Sequence, residues 1–336
     1  MTHVLVARQD NAGDVLLAGP AVRAVAAHAD RVTVLCGPAG GEAAGLLPGV
    51  DEVVVQPAEW IAGEPAAVER DAVLRRVDAL AARGADCALV LTSFHQSPLP
   101  LALLLRMAGV PRIGAISVDY PGSLLDVRHA VPDDVHEVER ALSLAEAMGF
   151  SLPAGDDARL RVRRPGGFSP GVGHVVVHPG ASVPARAWAP EHHVALVSAL
   201  VAGGHRVVVT GGPDESALTR RVAGDRALDL GGRTSLAQLA DVIAGAACLV
   251  AGNTGPAHLA AAVGTPVVSI FAPTVPLVRW GPWRVRHEVL YVDVPCAGCR
   301  ARACPVPGHP CVDSLSVDAV LAAVGRITRP AAEAAA

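Results

Sequence analysis

Residues 248–263 carry the sequence CLVAGNTGPAHLAAAV, and this stretch decides the fold class. A run of apolar residues ends in a glycine-bearing loop, and an alanine-rich helical pattern follows directly. Pro256 suits the first turn of that helix, because proline lacks the amide hydrogen that a first turn leaves unbonded. The stretch therefore predicts a buried strand that leads straight into a helix.

The same alternation of strand and helix recurs along the chain. Nearly continuous apolar runs are typical of parallel strands buried on both faces, and they fall at residues 3–7, 32–36, 52–56, 87–91, 112–115, 174–178, 206–210, 248–251 and 267–271. Helical patterns separate them, at residues 15–28, 68–83, 191–202, 215–223 and 257–263. This series predicts an α/β chain of two Rossmann-like lobes, built from βαβ units and facing a central cleft.

The boundary between the lobes is marked by composition. Residues 151–173 are rich in proline, glycine and arginine and show no periodicity, which is typical of a linker. We expect an N-terminal lobe over residues 1–150 and a C-terminal lobe over residues 174–336. The last helix of the C-terminal lobe is predicted to pack back on the N-terminal lobe.

Composition excludes several classes of protein. The formal net charge of -4 disfavours nucleic-acid binding. No apolar run reaches the roughly 18 residues of a membrane span, and the N-terminus lacks the pattern of a signal peptide, so we expect a cytoplasmic protein. Seven cysteines do not indicate a secreted disulfide framework. All 28 basic residues are arginine.

The loop after the first predicted strand carries a carboxylate. It runs from Ala7 to Asp14 and lacks the G-x-G-x-x-G pattern, which disfavours a nicotinamide dehydrogenase. Gly13 permits a tight turn at the start of the next helix. Asp14 is either the N-cap of that helix or a general base that deprotonates an acceptor hydroxyl.

The second lobe has four strand-to-helix loops, and those at residues 178–182 and 251–258 suit an anion, because glycine-bearing loops before helices present backbone amides. Arg186 is either a bidentate clamp on a diphosphate or an exposed loop arginine. Glu215 either bonds ribose hydroxyls or only complements its helix dipole. His258 is either a phosphate donor or a core histidine, and Thr274 closes the last of these strands.

Taken together in this order, the motifs resemble glycosyltransferase family 9, the ADP-heptose:lipopolysaccharide heptosyltransferases. The resemblance covers nearly the whole chain, and it is carried by residues 8–14, 136–140, 178–188, 211–215, 253–258 and 296–311. It implies the GT-B fold and an inverting, metal-independent transfer without a cofactor. The first lobe would bind the acceptor and the second lobe the nucleotide sugar.

The resemblance also implies roles for individual residues. Asp14 matches the catalytic base, and Arg186 stands where the family often has a phosphate-binding lysine. Asn253 stands where the family usually has aspartate, which removes a charge near the donor and leaves the donor's identity open. The implied donor-binding residues are Gly13, Gly180, Ser182, Arg186, Gly212, Glu215, Thr234, Asn253, Thr254, Gly255, Pro256, Ala257, His258 and Thr274. The implied acceptor-binding residues are Arg8, Asn11, His95, His136 and Arg140.

The late cysteines form the pattern C-x2-C-x4-C-x6-C, over Cys296, Cys299, Cys304 and Cys311. The first spacing fits a zinc site, whereas the later ones differ from those of a common zinc finger. Similar cysteines occur in the family without an implied metal. Reduced structural thiols are therefore the favoured interpretation, with zinc as the alternative.

The expected partners are a nucleotide-diphosphate sugar, with ADP-heptose favoured, and a glycolipid or natural-product acceptor, with peripheral membrane association allowed.

Three alternative functions stay open at this point. Another GT-B enzyme with a different donor, or an epimerase of UDP-sugars, would share the lobes. A nucleotide-sugar-binding protein that has lost activity is the third, and only Asn253 supports it.

Overall fold

The computed structural model describes residues 1–62, 65–93 and 95–329. The chain divides into two units, Met1–Arg163 and Arg164–Ala336. The change from one unit to the other falls within residues 151–173, the predicted linker. Each unit holds a parallel six-stranded sheet with helices between the strands, as the alternation of apolar runs and helical patterns predicted.

In the first unit the sheet order is β3-β2-β1-β4-β5-β6. The strands are β1 (His3–Arg8), β2 (Arg31–Cys36), β3 (Glu52–Val55), β4 (Cys87–Leu91), β5 (Arg112–Ile116) and β6 (Val127–His129). The helices are α1 (Ala12–Leu17), α2 (Gly19–Ala26), α3 (Gly41–Leu46), α4 (Arg70–Ala81), α5 (Leu99–Met107) and α6 (Glu137–Ala147).

In the second unit the sheet order is β12-β11-β10-β7-β8-β9. The strands are β7 (His174–His178), β8 (Val207–Val209), β9 (Leu228–Asp229), β10 (Ala246–Gly252), β11 (Val267–Ile270) and β12 (His287–Leu290). The helices are α7 (Pro190–Ala202), α8 (Ser216–Ala223), α9 (Leu236–Ala244), α10 (Gly255–Val263), α11 (Leu277–Trp280), α12 (Pro310–Asp313) and α13 (Val317–Thr328).

Both cores are aliphatic, as the 3% aromatic content predicted. All six residues of β1 are buried, because helices cover both faces of a central parallel strand. Helix ends follow local sequence: the Ser235 hydroxyl accepts a hydrogen bond from the amide of Gln238 at the start of α9, and α10 ends at left-handed Gly264.

The first predicted helix is divided in two in the structure. Residues 15–28 were expected to form one helix, and that expectation is wrong: α1 and α2 are separate, because Gly19-Pro20 interrupts the helical hydrogen bonding.

The buried residues of α13 belong to the core of the second unit, so this core accounts for its apolar face. Its packing on the first lobe stays a prediction. No helix in the described part of the chain is long and apolar enough to cross a membrane.

Candidate functional site

Strand order selects one place in each unit for a ligand. In an open parallel sheet, ligands bind beyond the carboxyl ends of the strands where the winding direction reverses. The reversal falls between β1 and β4 in the first unit and between β7 and β10 in the second. The loops after β1 and β4, and those after β7 and β10, are therefore the candidate sites.

A buried guanidinium organises the first of these sites. Arg8, the last residue of β1, lies with Nε 2.7 Å from Asp10 Oδ2, Nη2 3.0 Å from Asp14 Oδ1 and Nη1 3.3 Å from Glu137 Oε2. The same Nη2 donates to Ser93 Oγ at 3.0 Å in the loop after β4. One cation thus joins carboxylates from the loop after β1, from α1 and from α6.

The three carboxylates differ in their access to solvent. The side chain of Asp14 is 15% exposed, against 4% for Asp10 and 1% for Glu137. Asp10 is also held by Gln96 Nε2 and by the Ser93 hydroxyl. Asp14 is therefore the carboxylate of this network that a solvent-borne hydroxyl can reach most readily.

Burial shifts the titration of the network. Burial raises the pKa of the Asp10 carboxyl, and the neighbouring Arg8 cation only partly opposes this effect. Burial alone would lower the pKa of Arg8, but the charges of Asp10, Asp14 and Glu137 raise it above its ordinary value. Arg8 therefore stays charged at any physiological pH.

The loop before α1 differs from expectation. Helix α1 begins after Asn11, so Asn11 occupies the N-cap position and Asp14 lies within the helix. The cap alternative for Asp14 therefore does not describe its position. Gly13, which was expected to permit a tight turn at the start of the helix, is the second residue of α1.

The residues predicted to bind acceptor divide into two groups. Asn11 and His95 are exposed, in the loops after β1 and β4. Arg8, Arg140 and His136 are buried. Arg140 Nε lies 3.3 Å from Glu137 Oε1, and His136 Nδ1 accepts from the Val138 amide as the N-cap of α6. Their contact with an acceptor stays a prediction.

Glu137 was missed by the sequence analysis, although it lies between two residues that were assigned. It is fully buried at the start of α6 and bonds Arg8 and Arg140. The available signal was an acidic residue on the buried face of an amphipathic helix, three positions before an arginine.

In the second unit, Glu215 joins the loops after β7 and β8. Its Oε2 accepts from the Gly212 amide at 2.7 Å and lies 3.7 Å from His178 Nε2. The other ring nitrogen of His178 is hydrogen-bonded to Thr210 Oγ1 at 3.0 Å. Burial lowers the pKa of His178, against the opposing charge of Glu215, and it lowers the pKa of the nearby His193 to about 3.

Gly180 is required by the position of Glu215. A Cβ atom at residue 180 would lie 1.9 Å from Glu215 Oε1, and the backbone of Gly180 is therefore in direct contact with that carboxylate. The loop after β7 thus passes so close to Glu215 that a side chain at residue 180 would displace the carboxylate.

We expect Gly180→Ala to lower the free energy of unfolding by about 1–3 kcal/mol, because the methyl group displaces Glu215 from the Gly212 amide. Urea denaturation measures the loss. Gly325→Ala is the control, because a Cβ atom there meets nothing within 4 Å. Equal stability of the two variants would contradict the close contact at Gly180.

Arg186 and the Thr254 loop lie side by side. Strands β7 and β10 are paired, and a Cβ atom at Gly252 would lie 3.1 Å from the carbonyl oxygen of Arg186. Thr254 is the N-cap residue of α10, whose first turn contains Gly255, Pro256 and Ala257, as the proline pattern predicted. The backbone of Arg186 and the loop that leads into the N-terminus of α10 therefore lie together at one sheet edge.

Asn253 is buried and bonds the backbone beyond the neighbouring strand β11. Its Oδ1 accepts from the Ala272 amide at 3.2 Å, and its Nδ2 donates to the Ala272 carbonyl at 3.4 Å. An amide satisfies both backbone groups, whereas an ionised carboxylate satisfies only one. Asn253 thus ties the ends of β10 and β11 together.

We expect Asn253→Asp to cost about 1–3 kcal/mol of unfolding free energy at neutral pH, because a carboxylate would face the Ala272 carbonyl. This contact raises the carboxyl's pKa in the folded state above its unfolded value. The loss should therefore grow as pH rises and shrink at acid pH, where the protonated carboxyl can donate. Denaturation at several pH values, with exposed Asn11→Asp as control, checks this; a pH-independent loss would refute it.

The remaining predicted donor residues lie at the same sheet edge. Ser182 and Ala181 follow Gly180, and half-buried Thr234 precedes the N-cap of α9. Thr274 is buried in the loop after β11, and within the described residues its Oγ1 has no hydrogen-bond partner. His258 is buried in α10, which fits the core interpretation.

The cysteine segment packs against these loops. The Ala185 amide donates to the Arg302 carbonyl, and the Arg300 amide donates to the Thr274 carbonyl. Cys296 and Cys299 are exposed and Cys311 is buried, and all four cysteines are free thiols. Burial raises the pKa of Cys311, and the other three cysteines add to that shift. Among the described residues, no three His, Cys, Asp or Glu side chains are grouped as metal ligands.

Comparison with known proteins gives a consistent family. The model of glycosyltransferase family 9 (heptosyltransferase) matches residues 73–309, well over half of the chain. Lipopolysaccharide heptosyltransferase 1 of Pseudomonas aeruginosa is 34% identical over 176 residues, which are 50% of this chain and 48% of that protein. The chain spans about half the length of the curated relatives it matches.

Solved structures agree over the whole chain. A family 9 glycosyl transferase from Veillonella parvula has a TM-score of 0.76 at 15% identity, covering 97% of both chains. The Escherichia coli ADP-heptose lipopolysaccharide heptosyltransferase II has a TM-score of 0.75 at 18% identity, covering 100% of both. The GT-B fold class is therefore confirmed.

Proposed function

The chain belongs to glycosyltransferase family 9, and from this premise we propose that it is an inverting glycosyltransferase that moves a heptose from ADP-heptose to an acceptor hydroxyl. The observation that carries the proposal is the carboxylate of Asp14, held by Arg8 at the ligand-binding edge of the first sheet. A positioned and partly exposed carboxylate is what a general base requires.

The proposed reaction is a single displacement. Asp14 takes the proton of the acceptor hydroxyl while that oxygen attacks the anomeric carbon on the face opposite the diphosphate. The new carbon–oxygen bond forms as the bond to the diphosphate oxygen breaks, and ADP leaves with the electron pair. Attack from the opposite face inverts the anomeric configuration.

Charge on the leaving diphosphate needs a positive field. Arg186 and the N-terminus of α10 lie at one sheet edge in the second unit and can supply it together. Neither requires a metal ion, so the proposed mechanism is metal-independent and uses no cofactor. Glu215, in the adjacent loop, is the proposed partner of the ribose hydroxyls.

Similar proteins support the choice of substrates. The Escherichia coli relative carries ADP-heptose in its name, and the Pseudomonas aeruginosa relative is a lipopolysaccharide heptosyltransferase. We therefore propose ADP-heptose as the donor and a glycolipid, or a natural product with a free hydroxyl, as the acceptor. We place the reaction in the cytoplasm, with peripheral contact to a membrane where the acceptor is a lipid.

The contacts of Asn253 count against the inactive alternative. That alternative rests on Asn253, whose side chain pairs with the Ala272 backbone in a way an ionised aspartate would not. Asparagine in place of the family's usual aspartate at position 253 therefore has a structural role that is separate from catalysis. The proposed base, Asp14, and its ion pair with Arg8 also favour an active enzyme.

Donor specificity is tested by thermal denaturation with ADP-, GDP- and UDP-sugars. A ligand at one hundred times its Kd stabilises the folded protein by about 2.7 kcal/mol. We expect ADP-heptose, and more weakly ADP, to raise Tm while GDP- and UDP-sugars leave it unchanged. Stabilisation by UDP-sugars alone would favour the epimerase or another transferase, and no shift with any donor would count against donor binding.

A further inference from the structure

We infer that Arg8 and Glu137 are positioning residues for the Asp14 base, and that removing either charge changes the pH dependence of transfer, in opposite directions. The inference rests on the proposed function, because it takes Asp14 as the base. It assigns Arg8 a role different from the acceptor contact that the family resemblance implied.

The guanidinium nitrogen atoms of Arg8 all contact groups of the protein itself. Its Nε, Nη1 and Nη2 atoms lie against Asp10, Glu137 and Asp14, and Nη2 also donates to Ser93. The residue is buried at the end of a central strand, so its guanidinium is fixed by the sheet. Arg8 therefore acts through Asp14 and does not reach an acceptor.

Glu137 fixes the other side of the guanidinium. It is the first residue of α6, follows the N-cap His136, and has a side chain that is 1% exposed. Its two oxygens contact Arg8 Nη1 and Arg140 Nε, both at 3.3 Å. Helix α6 thereby holds Arg8 in the orientation that brings Nη2 to Asp14.

Charges at these distances act strongly because the site is buried. A cation within a few ångströms favours the ionised carboxylate and moves its titration by about one to three pH units, whereas a nearby anion acts oppositely. Removing either charge therefore changes the balance of charges around Asp14.

Few other charges lie near this network on the elements packed against α1. Helix α6 also carries Glu139, which caps its own N-terminus, and helix α2 carries Arg23, which pairs with Asp156. Helix α3 contributes an exposed Glu42. The titratable and charged groups of the packed elements are therefore Arg8, Asp10, Glu42, Arg23, His136, Glu137, Glu139, Arg140 and the exposed Glu146.

The test is the pH dependence of single-turnover transfer in two variants of opposite charge. Arg8→Gln should move the acid limb of the profile about one to three pH units higher, because the protonated carboxyl is favoured without the cation. Glu137→Gln should move the acid limb to lower pH, by a smaller amount than the shift in Arg8→Gln, because Arg8 lies between Glu137 and Asp14. Arg8→Lys keeps the charge and should leave the limb near its wild-type position, with a lower rate.

The control is Arg23→Gln, which removes a buried arginine–carboxylate pair elsewhere in the same unit. It should lower stability without moving the acid limb. If Arg8→Gln and Glu137→Gln move the limb in the same direction, or only lower the rate as a general structural defect would, the inference is wrong. Should Arg8→Gln fail to fold, the downward shift in Glu137→Gln decides alone.

A second readout does not depend on turnover. The ¹³C chemical shift of the Asp14 carboxyl, assigned by its loss in Asp14→Asn, reports its titration directly. Its midpoint should be lower in Glu137→Gln than in the wild type. If transfer is absent but the midpoint is lower in Glu137→Gln, the proposed function fails while the electrostatic coupling stands. If the midpoint is the same in both proteins, the inference is wrong whatever the activity.

Discussion

Asp14→Asn is expected to lower the rate of transfer about 10²–10⁴-fold, which is the usual contribution of a general base. The amide keeps the shape of the side chain and its contact with Arg8, but it cannot accept the hydroxyl proton. The proposed donor site lies in the other unit, so donor binding should stay near the wild-type value. Single-turnover rates and donor titration of the same preparation separate the two effects.

The matched control for Asp14→Asn is Asp71→Asn, an exposed residue at the start of α4. It changes the net charge equally and should leave transfer unaltered. Near-normal transfer by Asp14→Asn would reduce Asp14 to a structural partner of Arg8.

Arg186→Ala is expected to lower transfer about 10²–10³-fold, which is the typical cost of one preorganised charge-stabilising donor. The diphosphate is the group that gains charge, so binding of ADP should weaken more than binding of adenosine. Titration of the two ligands measures this difference directly.

The control for Arg186→Ala is Arg220→Ala, which removes an exposed arginine of α8 in the same unit. It should change neither affinity nor transfer. Equal losses for ADP and adenosine in Arg186→Ala would show that the arginine supports the loop after β7 and does not contact phosphate.

The fold was largely predictable from the sequence because its central strands are buried on both faces. Strands β4 and β7 have the predicted bounds, since an unbroken apolar run leaves little choice of end. The edge strands β6, β9 and β12 were missed. They are short and half exposed, so their sequences lack the apolar signal of a central strand.

The candidate site was predictable only in part. Asp14 and Arg186 were selected as candidates because they follow strands at the carboxyl edge of a sheet, where ligands bind. The network around Arg8 was not, because Arg8 and Glu137 are 129 residues apart and nothing local shows that they meet. The same limit applies to Asn253, whose two bonds to Ala272 depend on the pairing of β10 with β11.

We propose that the enzyme transfers heptose from ADP-heptose without a metal ion and with inversion of configuration. The product formed by chelator-treated protein tests this proposal most directly. Enzyme in excess over ADP-heptose is mixed with acceptor glycolipid, and NMR records the first anomer formed while a folding probe and elemental analysis run in parallel. We expect ADP and a heptosylated product of inverted configuration without added metal. Retention of configuration, or loss of activity in folded protein that magnesium or manganese restores, would contradict the account.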